Sequence, residues 1–207
     1  MLIPYKELVK KHNLNVTGIL HVGAHECEEL KEYISQGVSQ QNTYWVEAMD
    51  DKVEYNKKKY NGLNIYNATI DLEDDKEVVF NITNNGQSSS ILEFGTHEKH
   101  HSHVVVVKKV VKKTSRLDTI IEKHNIPMQN INFMNLDIQG VELRALKSME
   151  KYLQHIKYIY TEVNVEDVYK GCDKMPELDE YLKKFGFSRV NTKVLHVGWG
   201  DAFYMKK

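Results

Sequence analysis

The 207-residue chain is poor in the residues that staple and punctuate polypeptides: it has two cysteines, three prolines and eleven glycines. Cys27 and Cys172 are too few for a disulfide framework and belong to no CxxC pair of the zinc-binding kind, which points to a reducing compartment. No apolar run approaches the roughly 18 residues of a membrane span. The opening Met1-Leu2-Ile3-Pro4-Tyr5-Lys6-Glu7 has neither the charged nor the apolar region of a signal peptide. A cytoplasmic protein with no membrane span is therefore expected. An excess of either charge is missing too, because 28 Lys and Arg stand against 29 Asp and Glu. That balance gives no global attraction to phosphate polymers, so no nucleic-acid partner is expected. No internal repeat or Pro/Gly-rich linker divides the chain, and one domain is expected over 1–207, with a polar, lid-forming insertion at about 84–103.

What is present is alternation. Gly18 to Val22 reads as a short buried strand, and Glu26 to Gln36 follows with Cys27, Leu30, Tyr33 and Ile34 at helical spacing. Thr43 to Glu47 repeats the strand signal, Asp50 to Tyr60 the helix, and Leu63 to Ile70 a third strand. Glu77 to Thr83 and Val104 to Val111 read as an antiparallel insertion around a polar segment. Alternation then resumes: helix from Leu117 to His124, strand Asn132 to Asp137, helix from Val141, strand Ile156 to Val163, helix Pro176 to Phe185. Strands from Gly186 and over Ala202 to Met205 close the chain. Repeated βα units predict an α/β fold, a mostly parallel sheet with helices on both faces.

In such a sheet, ligands bind at the carboxyl ends of the strands near the point where strand order reverses. Four ends carry chemistry: His21-Val22-Gly23-Ala24-His25-Glu26, Glu47-Ala48-Met49, Asp137-Ile138-Gln139-Gly140 and Glu162-Val163-Asn164. Gly23-Ala24 lets backbone approach a ligand. The run lacks the second and third glycines of GxGxxG, and its acidic residues would repel a pyrophosphate, so a dinucleotide is disfavoured. Glu47 stands where a carboxylate accepts both hydroxyls of a ribose. A nucleoside ligand without pyrophosphate, such as S-adenosylmethionine, satisfies all of this.

The ordered set HVGAHE (21–26), YWVEA (44–48), GQSSSIL (86–92), RLDTII (116–121), MNLDIQGVELRALKSM (134–149), YTEVNVEDVYKGC (160–172), ELDEYLKKFGF (177–187) and GWGDAFYM (198–205) resembles the FkbM family of S-adenosylmethionine-dependent methyltransferases. The resemblance implies a Rossmann-like class I methyltransferase fold with an antiparallel C-terminal strand. It also implies O-methylation of a sugar, a glycan or a small non-sugar metabolite. It assigns the cofactor to His21, Gly23, Ala24, His25, Glu26, Glu47, Ala48, Asp71, Ser88, Ser89, Asp137 and Gln139. The chain departs from the family's first motif at His21, His25 and Cys27, where Asp, Asn and Gly are usual; these departures keep a non-catalytic cofactor-binding module as an alternative.

An alcohol is a very weak acid and must lose its proton as it attacks the methyl group. Asp137 and Glu162 are the candidate catalytic carboxylates, with Glu142 beside them. Either the pair holds Mg²⁺, as in some sugar methyltransferases that the family resembles, or one raises the other's pKa and acts as base. Gln139, Glu142 and Asn164 are expected to position the acceptor. The cluster His97, His100, His101 and His103 reads as a solvated loop or substrate-contacting lid. Lys108, Lys109, Lys112 and Lys113 read as protection of an edge strand. Tyr169 reads as loop cover or packing, Trp199 as core or pocket wall, and Asp201 as a turn residue.

Overall fold

A computed structural model describes residues 1–207. Ten strands and seven α-helices alternate along the chain. They are α1 (Tyr5–His12), β1 (Ile19–Val22), α2 (Leu30–Ser35), β2 (Thr43–Glu47), α3 (Asp50–Lys59), β3 (Asn64–Asn67), β4 (Thr69–Ile70), β5 (Glu77–Thr83) and α4 (His97–His100). The second half holds β6 (Val106–Ser115), α5 (Leu117–Lys123), β7 (Phe133–Leu136), α6 (Glu142–Ser148), β8 (Tyr158–Asn164), α7 (Met175–Lys183), β9 (Phe187–Val194) and β10 (Trp199–Lys206).

Seven strands form one sheet in the order β3-β2-β1-β7-β8-β10-β9. Pairing is parallel from β3 to β8, and β10 runs antiparallel to both of its neighbours. This is the expected mostly parallel sheet with an antiparallel C-terminal strand. β1 and β7 are buried at every position, so their apolar runs need no alternation. Helices cover both faces: α5, α6 and α7 pack into a cluster of 27 buried residues, and α1, α2 and α3 into one of 15 on the other side. At 25 cal/mol per Å², such burial supplies most of the drive to fold.

Three differences from the sequence reading have local causes. Residues 26–29 are turn, not helix, because Cys27 sits in the left-handed region at φ 53. The strand expected over 63–70 is split, and β4 leaves the main sheet to pair with β6 in a three-stranded sheet, β4-β6-β5. Helix α1 was not expected. Only Tyr5 and Leu8 of it are buried, too few apolar positions to read as a stripe. The β5–β6 pair is antiparallel as expected, and the polar segment between them folds back over the carboxyl end of the main sheet.

Candidate functional site

The strand order reverses between β1 and β7, which pair from Ile19↔Phe133 to Val22↔Leu136. The chain leaves both strands through tight turns. Gly23 has φ +93, and a Cβ there would lie 1.8 Å from the carbonyl oxygen of Asp137, so only glycine lets the two turns touch. His25 (φ 40) and Gln139 (φ 58) adopt left-handed backbone without being glycine. Such strain costs on the order of 1–3 kcal/mol each and concentrates at functional sites.

Over these turns opens a cavity of about 420 Å³, within the size range of small-molecule sites. On the side of β1 and β2 it is lined by His21, Gly23, Ala24, His25, Glu47 and Ala48. Across from them stand Ser88, Ser89, Asp137, Gln139 and Glu162. Ala68, Thr69 and Ile70, just before Asp71, also line it.

Glu47 is buried, and its two oxygens accept backbone N–H bonds at 2.7 Å, Oε2 from His25 and Oε1 from Met49. The two bonds fix the carboxylate at the mouth of the cavity and leave a lone pair on each oxygen for a paired hydroxyl. Burial pushes its pKa up against those bonds. His21, at the position where the family carries Asp, is a neutral wedge. Burial brings its pKa down to about 3, its ring stacks on Trp45 at 4.5 Å, and Nδ1 lies 3.2 Å from the Tyr33 hydroxyl.

The carboxylates of Asp137 and Glu162 converge. Between them stands the amide of Gln139, whose Nε2 donates to Asp137 Oδ1 at 2.6 Å and to Glu162 Oε2 at 2.8 Å, while its Oε1 accepts from the Tyr169 hydroxyl at 2.6 Å. Burial, then the charge of Asp201, raises Asp137 to about 6. Burial, then Asp137, raises Glu162 well above the usual carboxylate range. Burial also raises the Tyr169 phenol, so it stays protonated and donates to Gln139.

This donor set does not fit Mg²⁺. The space between the carboxylates holds an N–H₂ group, a donor where a cation needs an acceptor, and no three His, Cys, Asp or Glu converge closely enough to hold a metal ion. In place of the metal expected at Asp137 and Glu162, the structure shows two carboxylates bridged by the Gln139 amide.

Four expected site residues lie outside the cavity: Glu142, Glu26, Asp71 and Asn164, the last fully buried at the end of β8. Glu142 accepts the N–H groups of Ile138 at 3.0 Å and Gly140 at 3.1 Å, clamping the 138–140 turn from behind, and burial holds its pKa at about 8. It is a brace for Gln139, not a group at the reacting atoms. Glu26 pairs with Lys52. Asp71 accepts from Leu72 N and lies 3.8 Å from Arg144 Nη1.

The sequence reading missed Asp201. It lies in β10, not in a turn, directly opposite Glu162, and it lines the cavity with Trp199. Period-two alternation carried the signal, since Trp199, Asp201 and Phe203 share one face of β10. Of the histidine cluster, His97, His101 and His103 line the cavity, whereas His100 does not. His97 stacks on Phe94 at 4.2 Å, and burial, then His101 and His103, lowers it to about 4. The roof is joined to the 164–174 loop by backbone bonds, Gly95 N to Val168 O at 2.9 Å and Thr96 N to Asp167 O at 2.7 Å.

Residues 20–189 match the family described as the methyltransferase FkbM domain. A search among curated proteins finds no match. Among solved structures, the methyltransferase FkbM from Methylobacillus flagellatus KT superposes with a TM-score of 0.57 at 14% identity; the alignment covers 98% of this chain and 48% of that one. The methyltransferase domain of bacterial CtHen1-CN gives 0.51 at 8% identity, covering 97% and 94%. Magnesium protoporphyrin IX methyltransferase from Synechocystis PCC 6803, solved with bound SAM, gives 0.50 at 10% identity, covering 98% and 76%.

Proposed function

From the premise that this chain belongs to the FkbM methyltransferase domain family, we propose that it transfers a methyl group from S-adenosylmethionine to a hydroxyl of a sugar or glycan. One observation supports this most: a single cavity is lined both by the backbone-fixed Glu47 and by the Asp137 and Glu162 carboxylates that the Gln139 amide bridges. The cofactor, when bound, supplies a sulfonium methyl whose carbon–sulfur electrons leave with the sulfur.

The remaining work falls to the chain. Glu47 accepts the two ribose hydroxyls, and Gly23-Ala24 admits the methionine end against bare backbone. Asp137, ionised above about pH 6, takes the acceptor's proton as its oxygen attacks. Gln139 transfers no proton. Locked in a left-handed turn and bonded on three sides, it holds the two carboxylates at fixed separation, and Tyr169 holds Gln139. The roof from 84–103 excludes water. Two free, buried cysteines support action in the cytoplasm.

The test is methyl transfer to a panel of methyl glycosides, followed by mass of the product. Asp137→Asn is expected to lower kcat by about 10²–10⁴-fold without loss of cofactor binding. Full activity in Asp137→Asn would remove the base from the mechanism, and a product methylated on nitrogen or carbon would remove the hydroxyl.

A further inference from the structure

Every ionisable side chain around the cavity is either acidic or a histidine. Glu28, Glu29, Glu47, Asp137, Glu162 and Asp201 line it, and no Lys or Arg does. The positive group at its rim is the amino group of Met1, 3.7 Å from Glu29. Apart from that amino group and the His25 ring that faces Glu28 at 2.7 Å, the acids are met by neutral donors: Glu47 by backbone N–H groups, Asp137 and Glu162 by the Gln139 amide, and Asp201 by Leu2 N and the Tyr160 hydroxyl.

Asp137, Glu162 and Asp201 form the wall opposite Glu47, on three neighbouring strands. Asp201 is paired in register with Glu162, and Asp137 ends the strand beside it. The roof contributes His97, His101 and His103 to the lining, and no Lys or Arg. Lys108, Lys109, Lys112 and Lys113, the basic stretch of β6, all lie outside the lining, and Lys112 is paired with Asp50 at 3.0 Å. Two partly enclosed like charges repel far more strongly than in water, because the low-dielectric walls screen them poorly.

We propose that the acceptor enters uncharged or positively charged, and that Asp137 and Asp201, on either side of Glu162, turn away acceptors bearing phosphate or carboxylate, nucleotide-linked sugars among them. This rests on the proposed methyl transfer to a sugar hydroxyl and narrows its substrate class. A sugar reaching this site is then one already freed of its phosphate carrier, so the reaction that supplies it is a glycosyl transfer or a dephosphorylation.

Charge at the wall is measurable without any acceptor. Of the two tryptophans, Trp45 is fully buried and Trp199 lines the cavity, so collisional quenching of the exposed fluorescence reports on Trp199. Caesium, iodide and neutral acrylamide are the probes, each normalised to free tryptophanamide. Caesium is expected to quench several-fold more effectively than iodide, and Asp201→Asn to narrow the gap. Equal normalised quenching, or preference for iodide, would overturn the proposal whatever the enzyme does. In the transfer assay with pooled methyl glycosides, amino sugars, sugar phosphates and nucleotide sugars, the methylated product is expected to carry no anionic group, with kcat/KM for a sugar phosphate at least tenfold below its neutral counterpart. An anionic product formed as fast as a neutral one would overturn it while leaving the methyltransferase reading intact. Loss of cofactor binding by the intact protein would strike that reading instead.

Discussion

Gln139 is the residue on which the site's geometry converges. Its side chain makes three bonds of 2.6–2.8 Å, to Asp137, Glu162 and Tyr169, from a backbone held at φ 58 by the Glu142 clamp. Removing one partner leaves buried carboxylates without a donor, a loss of about 1–3 kcal/mol. Gln139→Ala is therefore expected to lower kcat about ten- to hundredfold and to raise the apparent pKa seen in the pH–rate profile, because the donor that favours ionised Asp137 is gone. An unchanged profile would mean that Gln139 only packs. In Gln139→Glu, a third acid joins the pair and raises the pKa of Asp137 further, so activity should fall more at pH 6 than at pH 7. The sequence made Gln139, Asp137 and Glu162 legible as strand-end residues. It did not show that the amide stands between the carboxylates, because that depends on a left-handed turn that neither glutamine nor its neighbours announce. Glu142 failed for the same reason: it lies near the site in sequence, yet its carboxylate turns back to the 138–140 N–H groups.

Among the elements, the strand-and-helix framework was readable because buried parallel strands show as short apolar runs and their helices as spaced apolar stripes. α1 and the short α4 escaped, each burying too little to leave a pattern. The roof is the least legible part, being joined by backbone bonds that any sequence can make. It requires glycine at Gly86, which has φ +73, and at Gly95, where a Cβ would lie 1.9 Å from the Asp167 carbonyl oxygen. Gly95→Ala is expected to part the strap between 93–97 and 167–170. Hydrogen exchange of the Gly95 and His97 amides should accelerate at least tenfold, with KM for the acceptor raised and cofactor affinity kept. Unchanged exchange would show that the roof tolerates the side chain and is not held by this contact.

For the whole molecule, the buried acids set stability against function. Asp137, Glu142 and Glu162 have pKa values raised above their unfolded values, Asp137 to about 6 and Glu142 to about 8, all chiefly by burial. The native state then holds protons that the unfolded chain has lost. Their stabilising contribution is complete below about pH 4 and disappears as pH rises through 6 and 8. Over that window Tm is expected to fall with rising pH by on the order of 5 °C. Asp137→Asn, which removes one buried charge, should be more stable than the parent at pH 8 while losing activity. A Tm that rises from pH 5 to pH 8 would contradict the raised values. The central claim remains that this cavity binds S-adenosylmethionine through Glu47, and calorimetric titration with S-adenosylmethionine and S-adenosylhomocysteine tests it most directly. Micromolar binding is predicted for the parent, unaffected by chelator or added Mg²⁺, and reduced at least a hundredfold in Glu47→Ala whose circular dichroism is unchanged. Equal binding by the variant, or none by the parent, would contradict the account.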